Sequence, residues 1–145
     1  MIYRHTQTGT LILVLCLAIM AFGIGVSMMS GRWQPGTIIT IIFVPLTILF
    51  SSLTVEVDNS ELRWFFGPGL WKYRLFLREI DDVAVVRNHW WNGWGIRMAP
   101  GFLLYNVSGF DAVELRVGSS DVRRIGTDDP QGLAAALLTQ KAARD

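Results

Sequence analysis

Cysteine and histidine are scarce in this chain, and their scarcity excludes several kinds of site. Cys16 is the only cysteine among 145 residues, so a disulfide within the chain and a cysteine-based metal centre are both impossible. The two histidines, His5 and His89, have no other ligand-type residues at a recognisable metal-binding spacing. We therefore expect no catalytic residues, no metal site and no cofactor, and a protein that is not an enzyme.

Charge is also scarce, above all in the first third of the chain. Only 17% of the residues are charged, against roughly 25% in an average soluble domain. Before residue 54 the charged side chains are Arg4 and Arg32 alone. A net charge of +1 and the lack of a Lys/Arg block argue against nucleic acid as a partner. No ionisable side chain falls within the apolar runs, so transport by this chain alone has no chemical carrier.

Two long apolar runs occupy this part of the chain. Residues 11–29 would extend nearly 30 Å as a helix at roughly 1.5 Å per residue, about the thickness of a bilayer core. Residues 37–53 form a second, shorter run, and the connector SGRWQPG between them is rich in turn-forming residues. Because a backbone in lipid must satisfy its own hydrogen bonds, both runs should be helices. We predict a transmembrane hairpin over residues 11–53, preceded by a short cytoplasmic N-terminus, residues 1–10.

Small residues spaced four apart are candidates for helix packing in this hairpin. They are Ala21 with Gly25 on the first helix, and Thr47 with Ser51 on the second. Such pairs let backbones approach closely, either between the two helices, which we favour, or between the hairpin and a partner protein. A cleaved signal peptide is the less favoured interpretation of the first run, which is long for that role and ends in no small-x-small cleavage site.

The distribution of basic residues predicts the orientation in the membrane. Arg4 precedes the first helix and Arg32 lies in the connector, whereas several basic residues follow the second helix, namely Arg63, Lys72, Arg74 and Arg78. Since cytoplasmic segments carry an excess of Lys and Arg, both termini are expected in the cytoplasm, and the protein is expected to cross the membrane more than once.

A different pattern begins at residue 54. Short segments of alternating polarity, such as ELRWFF and WKYRLFLR, are separated by turn signals such as DNS and GPG, which predicts seven or eight strands. An Asp-Asp-Pro start and an Ala/Leu-rich segment then predict a helix over residues 129–144. We expect residues 54–145 to form a bent β-sandwich or barrel with one open end capped by this helix, which makes the chain a membrane-anchored α+β protein.

This β domain resembles the pleckstrin-homology-like fold, and more closely the bacterial pleckstrin-homology domains of small membrane proteins of uncharacterised function. The segments that carry the resemblance are RNHW, GWGIR, YNVSG, AVEL and IGTDDP, at residues 87–90, 93–97, 105–109, 112–115 and 125–130. The resemblance implies a fold and a location in the bacterial cytoplasmic (inner) membrane more than it implies an activity.

The same resemblance raises the question of phosphoinositide binding. Members of the wider fold often bind phosphoinositides through basic residues beside the first hairpin turn. In this chain that turn is Asp58-Asn59-Ser60, with Glu56 and Glu61 beside it. Carboxylates there would repel a phosphorylated head group, so we expect no phosphoinositide site.

Two surface features remain as candidate contacts. Trp90, Trp91 and Trp94 lie in one loop and would insert into the lipid interface or dock a protein partner. In the third interpretation, Trp90 and Trp94 pack into the core and the glycines of the loop permit the turn. A basic stripe of Lys72, Arg74 and Arg78 follows one strand and would be solvated or would contact anionic lipid.

We therefore expect a membrane-tethered, non-enzymatic interaction module. Its partners would be the lipid bilayer and a protein, either in the membrane or in the cytoplasm. The alternative is a small auxiliary subunit of a membrane complex that acts mainly through its transmembrane hairpin.

Overall fold

The computed structural model describes residues 1–143, and it is an α+β fold in which a helix pair, two sheets and a C-terminal helix follow one another. Two single-turn 3₁₀ helices, Leu77–Glu79 and Trp90–Asn92, follow the fourth and fifth strands. In chain order the other elements are β1 (Tyr3–Thr8), α1 (Thr10–Ser30), α2 (Gln34–Leu49), β2 (Ser52–Val57), β3 (Glu61–Phe66), β4 (Lys72–Phe76), β5 (Ile80–Arg87), β6 (Gly95–Ala99), β7 (Phe102–Asn106), β8 (Asp111–Val117), β9 (Asp121–Gly126) and α3 (Pro130–Ala142).

The N-terminal segment corrects the predicted domain boundary. Residues 1–10 were expected to precede the β domain as a short tail, but β1 pairs with β2 along its whole length, from Tyr3 opposite Val57 to Thr8 opposite Ser52. The segment YRHTQT has no apolar alternation that would predict a strand, so its conformation depends on a partner more than 40 residues away. The helix pair is thus inserted between two neighbouring strands of one sheet.

The predicted helices are present, with different limits. α1 agrees with the predicted run to within one residue at each end, and Gly31, at φ 64°, ends it in the left-handed conformation. α2 begins three residues before the predicted run because Pro35 suits the first helical turn. It also ends four residues before the predicted limit at residue 53, because Leu53 belongs to β2 and is buried in the core.

The two helices have almost no cover from the rest of the chain. Only 11% of the most apolar 18-residue window of α1 is buried, and its mean hydropathy is 2.7. Among the helices within residues 1–143, α1 alone is long and apolar enough to cross a bilayer, by length and composition, and α2 is a shorter apolar helix of 16 residues. Large apolar side chains are exposed on both, including Phe22, Met28, Ile38 and Ile41.

The β domain consists of two sheets whose inner faces share one core. The first has the strand order β1-β2-β3-β4 and the second β5-β8-β9-β7-β6, and every pairing is antiparallel except that of β7 with β9. Alternation along β3 puts Leu62, Trp64 and Phe66 inside, as expected for a half-buried strand. These side chains pack with Leu115 and Ile125 of the second sheet.

The C-terminal helix covers the space between the sheets. α3 begins as its sequence predicts: Pro130 occupies the first turn, and the Asp129 carboxylate accepts a hydrogen bond from the Gly132 N–H at 3.1 Å. Leu133 and Leu137 enter the core, and the helix touches strands of both sheets. Arg144, the predicted last residue of this helix, lies outside the described residues.

Candidate functional site

The helix pair joins the β domain at one end of the first sheet. Gly9, just before α1, donates its backbone N–H to the Ser51 carbonyl at 2.8 Å, so α1 and α2 enter and leave the domain side by side. Phe50, which follows α2, packs edge-to-face on Phe66 of β3, with ring centroids 5.2 Å apart. We call this end of the domain the hairpin base.

The turn between β3 and β4 lies against the hairpin base. A Cβ on Gly67 would come within 2.7 Å of the Leu49 carbonyl oxygen. The φ angle of Gly67 is 48°, in the left-handed region that glycine adopts most readily. Leu70 and Trp71 follow in the same turn, and each is 67% exposed. The close approach at Gly67 therefore holds two large apolar side chains beside the end of α2.

A small apolar cavity of about 90 Å³ lies at the hairpin base. Residues from α2, both sheets and the β3–β4 turn line it, namely Leu49, Phe50, Phe66, Trp71, Tyr73 and Ile96. Behind it the buried ring of Trp64 stacks on Tyr73 at 5.6 Å and meets Tyr105 edge-on at 5.2 Å. Burial raises the pKa of Tyr105 above its ordinary value. The cavity wall shows that Trp71 and Ile96 lie at the level of the last turn of α2.

The aromatic loop between β5 and β6 reaches the same end. The backbone N–H of Asn88 donates to the Phe110 carbonyl at 2.7 Å, and the Asn88 side chain accepts a hydrogen bond from Arg124 at 3.1 Å. At the other end of the loop, a Cβ on Gly95 would lie 3.9 Å from the Phe50 ring. The loop is therefore fixed at both ends, and its second end touches the hairpin base.

The three tryptophans of this loop have different environments. Trp94 is half-buried and donates its indole N–H to the Gly109 carbonyl at 3.1 Å. Trp90 and Trp91 lie on the 3₁₀ turn and are 70% and 64% exposed, and His89 stacks flat on Trp91 at 4.2 Å. Core packing, one of the three interpretations of the loop, accounts for Trp94 in part and does not account for Trp90 and Trp91.

Exposed apolar side chains from three separate segments thus lie at the end of the domain that carries the hairpin base. We call them the proximal surface, and they are Leu70, Trp71, Trp90, Trp91 and Ile96. Only the tryptophans at positions 90 and 91 were singled out from the sequence. Trp71 and Ile96 sit in ordinary strand-like patterns, and nothing in the sequence indicates that they lie beside α2.

The predicted basic stripe does not stay at this end. Lys72 pairs with Phe65 near the base, with its ammonium 5.5 Å from the Phe65 ring centroid. Arg74 lies midway along β4, and Arg78 lies in the 3₁₀ turn beyond its far end. At about 3.4 Å per strand residue the stripe runs roughly 20 Å away from the hairpin base, so only Lys72 borders the proximal surface.

Two further cations lie beside the aromatic loop. Arg97 donates its Nε–H to the Trp94 carbonyl at 3.1 Å, and Arg87 lies 3.7 Å from the Asp111 carboxylate; both side chains are exposed. The charge pattern of the sequence, which has no block of Lys or Arg, does not single out these arginines. Their position on either side of the tryptophans was the signal that could have identified them.

Carboxylates gather at the opposite end of the domain. Arg63 lies within 3.7 Å of three carboxylates, those of Glu56, Asp58 and Glu61. The Asn59 backbone N–H, and then the N-terminal amino group at 3.0 Å, lower the pKa of the Asp58 carboxyl. The carboxylates expected beside the first hairpin turn are therefore present and partly neutralised by one arginine.

His89 and the nearest acidic pair in the sequence lie at opposite ends of one strand. His89 lies two residues beyond the end of β5, whereas Asp81 and Asp82 are near its start, and Asp81 accepts a hydrogen bond from the Gly118 backbone. His5 contacts Asp128, at the start of α3. In the part of the chain that the structure describes, no group of three or more His, Cys, Asp or Glu side chains is positioned to hold a metal ion.

Close packing between α1 and α2 occurs at residues other than the predicted ones. A Cβ on Gly23 would lie 2.6 Å from the Ile39 side chain, and the Ser27 hydroxyl accepts the Gly36 backbone N–H at 2.7 Å. Ala21 is exposed, and a Cβ on Gly25 would meet nothing within 4 Å. These two residues therefore do not pack the helices together, although both are open to a partner.

The predicted pair on α2 has local hydrogen bonds instead. Thr47 donates its hydroxyl to the Phe43 carbonyl at 2.6 Å within the helix, and Ser51, beyond the end of α2, donates to the Ile48 carbonyl at 2.9 Å. Near the other end of the helix pair, an open groove of about 580 Å³ runs between α1 and α2 next to Arg32 and Trp33.

Comparison with known proteins adds no identification. No protein-family model matches the chain, and no curated protein matches it.

Proposed function

We propose that this protein is a membrane-anchored, non-enzymatic interaction module whose helix pair crosses the bilayer twice and whose β domain rests on one membrane surface. The pairing of β1 with β2 carries the proposal. One strand comes before the helices and the other after them, so both must be on the same side of the membrane. If α1 crosses the bilayer, α2 must return.

The helix surfaces support insertion in lipid. Apolar side chains point outward around both helices and are not covered by the β domain. In water such a surface would be far larger than the apolar patches that soluble monomers expose. In lipid it needs no further cover, and the helical backbone satisfies its own hydrogen bonds.

The orientation follows from the positions of the cations. Arg32 is the only charged residue at the tip of the helix pair, whereas Arg4 and the basic residues of the β domain are at the other end. The positive-inside tendency then favours a cytoplasmic β domain in a bacterial inner membrane. Two sheets closed by a C-terminal helix are also the architecture that the resemblance to bacterial pleckstrin-homology domains implies.

The module would make its contacts through the proximal surface. Trp90 and Trp91 are exposed: Trp91 stacks on His89, and Trp90 meets Trp91 edge-on. Exposed aromatic side chains outside the core are the arrangement expected of a contact surface. Trp94, by contrast, serves to hold the loop.

Cysteine accessibility tests this topology. In a Cys16→Ala background, single cysteines replace Ile2, Arg32 and Ser119, and right-side-out and inverted membrane vesicles are treated with a membrane-impermeant maleimide. We expect Arg32→Cys to react in right-side-out vesicles, and Ile2→Cys and Ser119→Cys in inverted ones. Reaction of all three from one side would rule out a spanning hairpin. Reaction of Ile2→Cys and Ser119→Cys from opposite sides would indicate a single crossing.

A further inference from the structure

We infer that the proximal surface lies within the phospholipid headgroup layer, and that the basic residues around it favour anionic lipid. The inference rests on the proposed function, because it requires the helix pair to be in the bilayer. It goes further in naming the partner of the exposed tryptophans, which is lipid rather than protein.

The first argument is the length of the helix pair. Ile12, in the first turn of α1, packs against the core of the β domain, so the uncovered apolar part of α1 is confined to residues 14–29. That stretch and the 16 residues of α2 each extend about 24 Å, against a hydrocarbon core of roughly 30 Å. A short span is accommodated by thinning of the bilayer and by residues at its ends that anchor in the interface. The hairpin base is therefore drawn toward the lipid.

The second argument is the chemistry of the residues found there. Trp71 lines a cavity with Leu49 and Phe50 at the very end of α2. Trp90 and Trp91 lie in a loop whose end touches Phe50. Tryptophan is the residue that concentrates at the boundary between hydrocarbon and water, where its ring is apolar and its N–H remains hydrated. Leu70 and Ile96 enlarge the apolar area that this layer accepts.

The third argument is the distribution of charge. Three cations, Lys72, Arg87 and Arg97, lie at the end of the domain that carries the proximal surface, where Asp111 offsets the charge of Arg87. The carboxylates of Glu56, Asp58 and Glu61 lie at the opposite end of the first sheet. Cations close to a membrane surface are attracted by anionic headgroups over about one Debye length, roughly 10 Å. The charges would therefore orient the domain with the tryptophans toward the lipid.

Continuity with the helices favours lipid over a protein partner. The proximal surface adjoins the exposed apolar surface of α2, and a protein bound to it would have to displace the headgroups that surround the helix pair. The same lipid that covers the helices covers the proximal surface without any additional component.

The test measures the depth of labelled positions in lipid nanodiscs. In the full chain with Cys16→Ala, an environment-sensitive fluorophore is attached at Trp71→Cys or Trp90→Cys. Asn59→Cys and Ser119→Cys, in turns at the far end of the domain, are matched controls, and Val44→Cys in α2 reports insertion of the hairpin. Nanodiscs contain phosphatidylcholine with a quencher on either the headgroup region or the acyl chain.

We expect the headgroup-region quencher to reduce emission at positions 71 and 90 and to leave positions 59 and 119 unchanged. If position 44 is quenched from the acyl chain while positions 71 and 90 behave like the controls, the inference is wrong and the proposed anchoring stands. If position 44 is not quenched either, the proposed function fails with it. Labels that are unquenched in pure lipid but protected in native membranes would assign the surface to a protein partner.

A second comparison tests the preference for anionic lipid. Adding phosphatidylglycerol to the nanodiscs should raise quenching at position 90 by about twofold, because each basic residue near the surface adds attraction. The double variant Arg87→Gln, Arg97→Gln should lose this increase, whereas Arg78→Gln, at the far end of β4, should keep it. Equal quenching with and without phosphatidylglycerol would overturn the assignment to anionic lipid.

Discussion

At the residue scale, the three tryptophans of the aromatic loop differ in burial, and the hydrogen bond of the Trp94 indole N–H accounts for part of the difference. Trp94 is partly buried, and its indole N–H meets the Gly109 carbonyl, so burial leaves that donor satisfied. Trp90 and Trp91 lie on the 3₁₀ turn, outside the core, and their rings meet edge-on with centroids 5.9 Å apart. Of the three tryptophans, Trp94 therefore fixes the loop, whereas Trp90 and Trp91 are exposed on its surface.

Tyr3 provides a pH-dependent contribution to stability. Its hydroxyl donates to the Asp129 carboxylate at 2.9 Å, and burial, followed by this hydrogen bond, raises the pKa of Tyr3 above its ordinary value. An unfolded tyrosine loses its proton near pH 10, whereas folded Tyr3 keeps it. The contribution is therefore complete below about pH 10 and is lost as the pH rises above it.

We predict that Tyr3→Phe lowers the free energy of unfolding by about 1 kcal/mol at neutral pH, because the hydrogen bond to Asp129 is lost. The fall in stability at alkaline pH should also be smaller in this variant than in the wild type. Part of that fall should remain, because burial raises the pKa of Tyr105 as well. Thermal unfolding followed by circular dichroism at neutral and alkaline pH measures both. An unchanged alkaline decline in Tyr3→Phe would contradict the assignment.

At the scale of the elements, the contact between α1 and α2 depends on glycines that sequence spacing alone did not identify. Gly25 has the predicted four-residue spacing from Ala21 but faces open space, whereas Gly23 lies against Ile39. The difference is the rotation of α1 about its axis, which turns Gly23 toward α2 and Gly25 away from it.

We predict that Gly23→Leu lowers the melting temperature in detergent, because overpacking at a close contact costs about 1–3 kcal/mol. Gly25→Leu is the matched control, with the same residue change two positions away, and should leave the melting temperature unchanged. Equal destabilisation by both would contradict this packing. Because Gly25→Leu spares the fold, a loss of a co-purifying membrane protein in that variant would favour the auxiliary-subunit alternative.

On the scale of the whole molecule, inserting the helix pair between β1 and β2 makes the β domain discontinuous in sequence. A chain that starts at residue 54 lacks β1 and leaves β2 without one of its two neighbours. The two ends of the insertion are nevertheless adjacent, since Gly9 and Ser51 are hydrogen-bonded. All the strands of the β domain and α3 therefore remain when the helices are removed, provided that residues 1–9 are retained.

We predict that replacing residues 10–50 with Asn-Gly, a two-residue hairpin turn, gives a folded domain that stays in solution without detergent. A chain of residues 54–145 should instead aggregate or fail to unfold cooperatively, because an edge of the sheet and part of the core are lost. Size-exclusion chromatography and the cooperativity of thermal unfolding distinguish the two. If residues 54–145 fold as well as the joined chain, β1 is dispensable.

Local patterns in the sequence were sufficient for most of the elements. Alternation and turn residues predicted the strands from β2 onward, and the Asp-Pro start predicted α3, because these signals act over a few residues. The two apolar runs predicted α1 and α2 for the same reason. The limits of α2 were wrong at its start, where Pro35 extends the helix, and at its end, where Leu53 of β2 continues the apolar run.

Other features depend on residues that are far apart in the sequence, and only the tertiary structure decided these. β1 is polar and becomes a strand because β2 offers it unpaired backbone groups. The proximal surface exists because Gly67 brings the β3–β4 turn to the end of α2, and Phe50 brings the aromatic loop there as well. Residue type and spacing determined that this chain has two apolar helices, a β domain and an unusual group of tryptophans. Long-range strand pairing and close backbone contacts decided that the tryptophans lie at the end of the domain from which the helices leave.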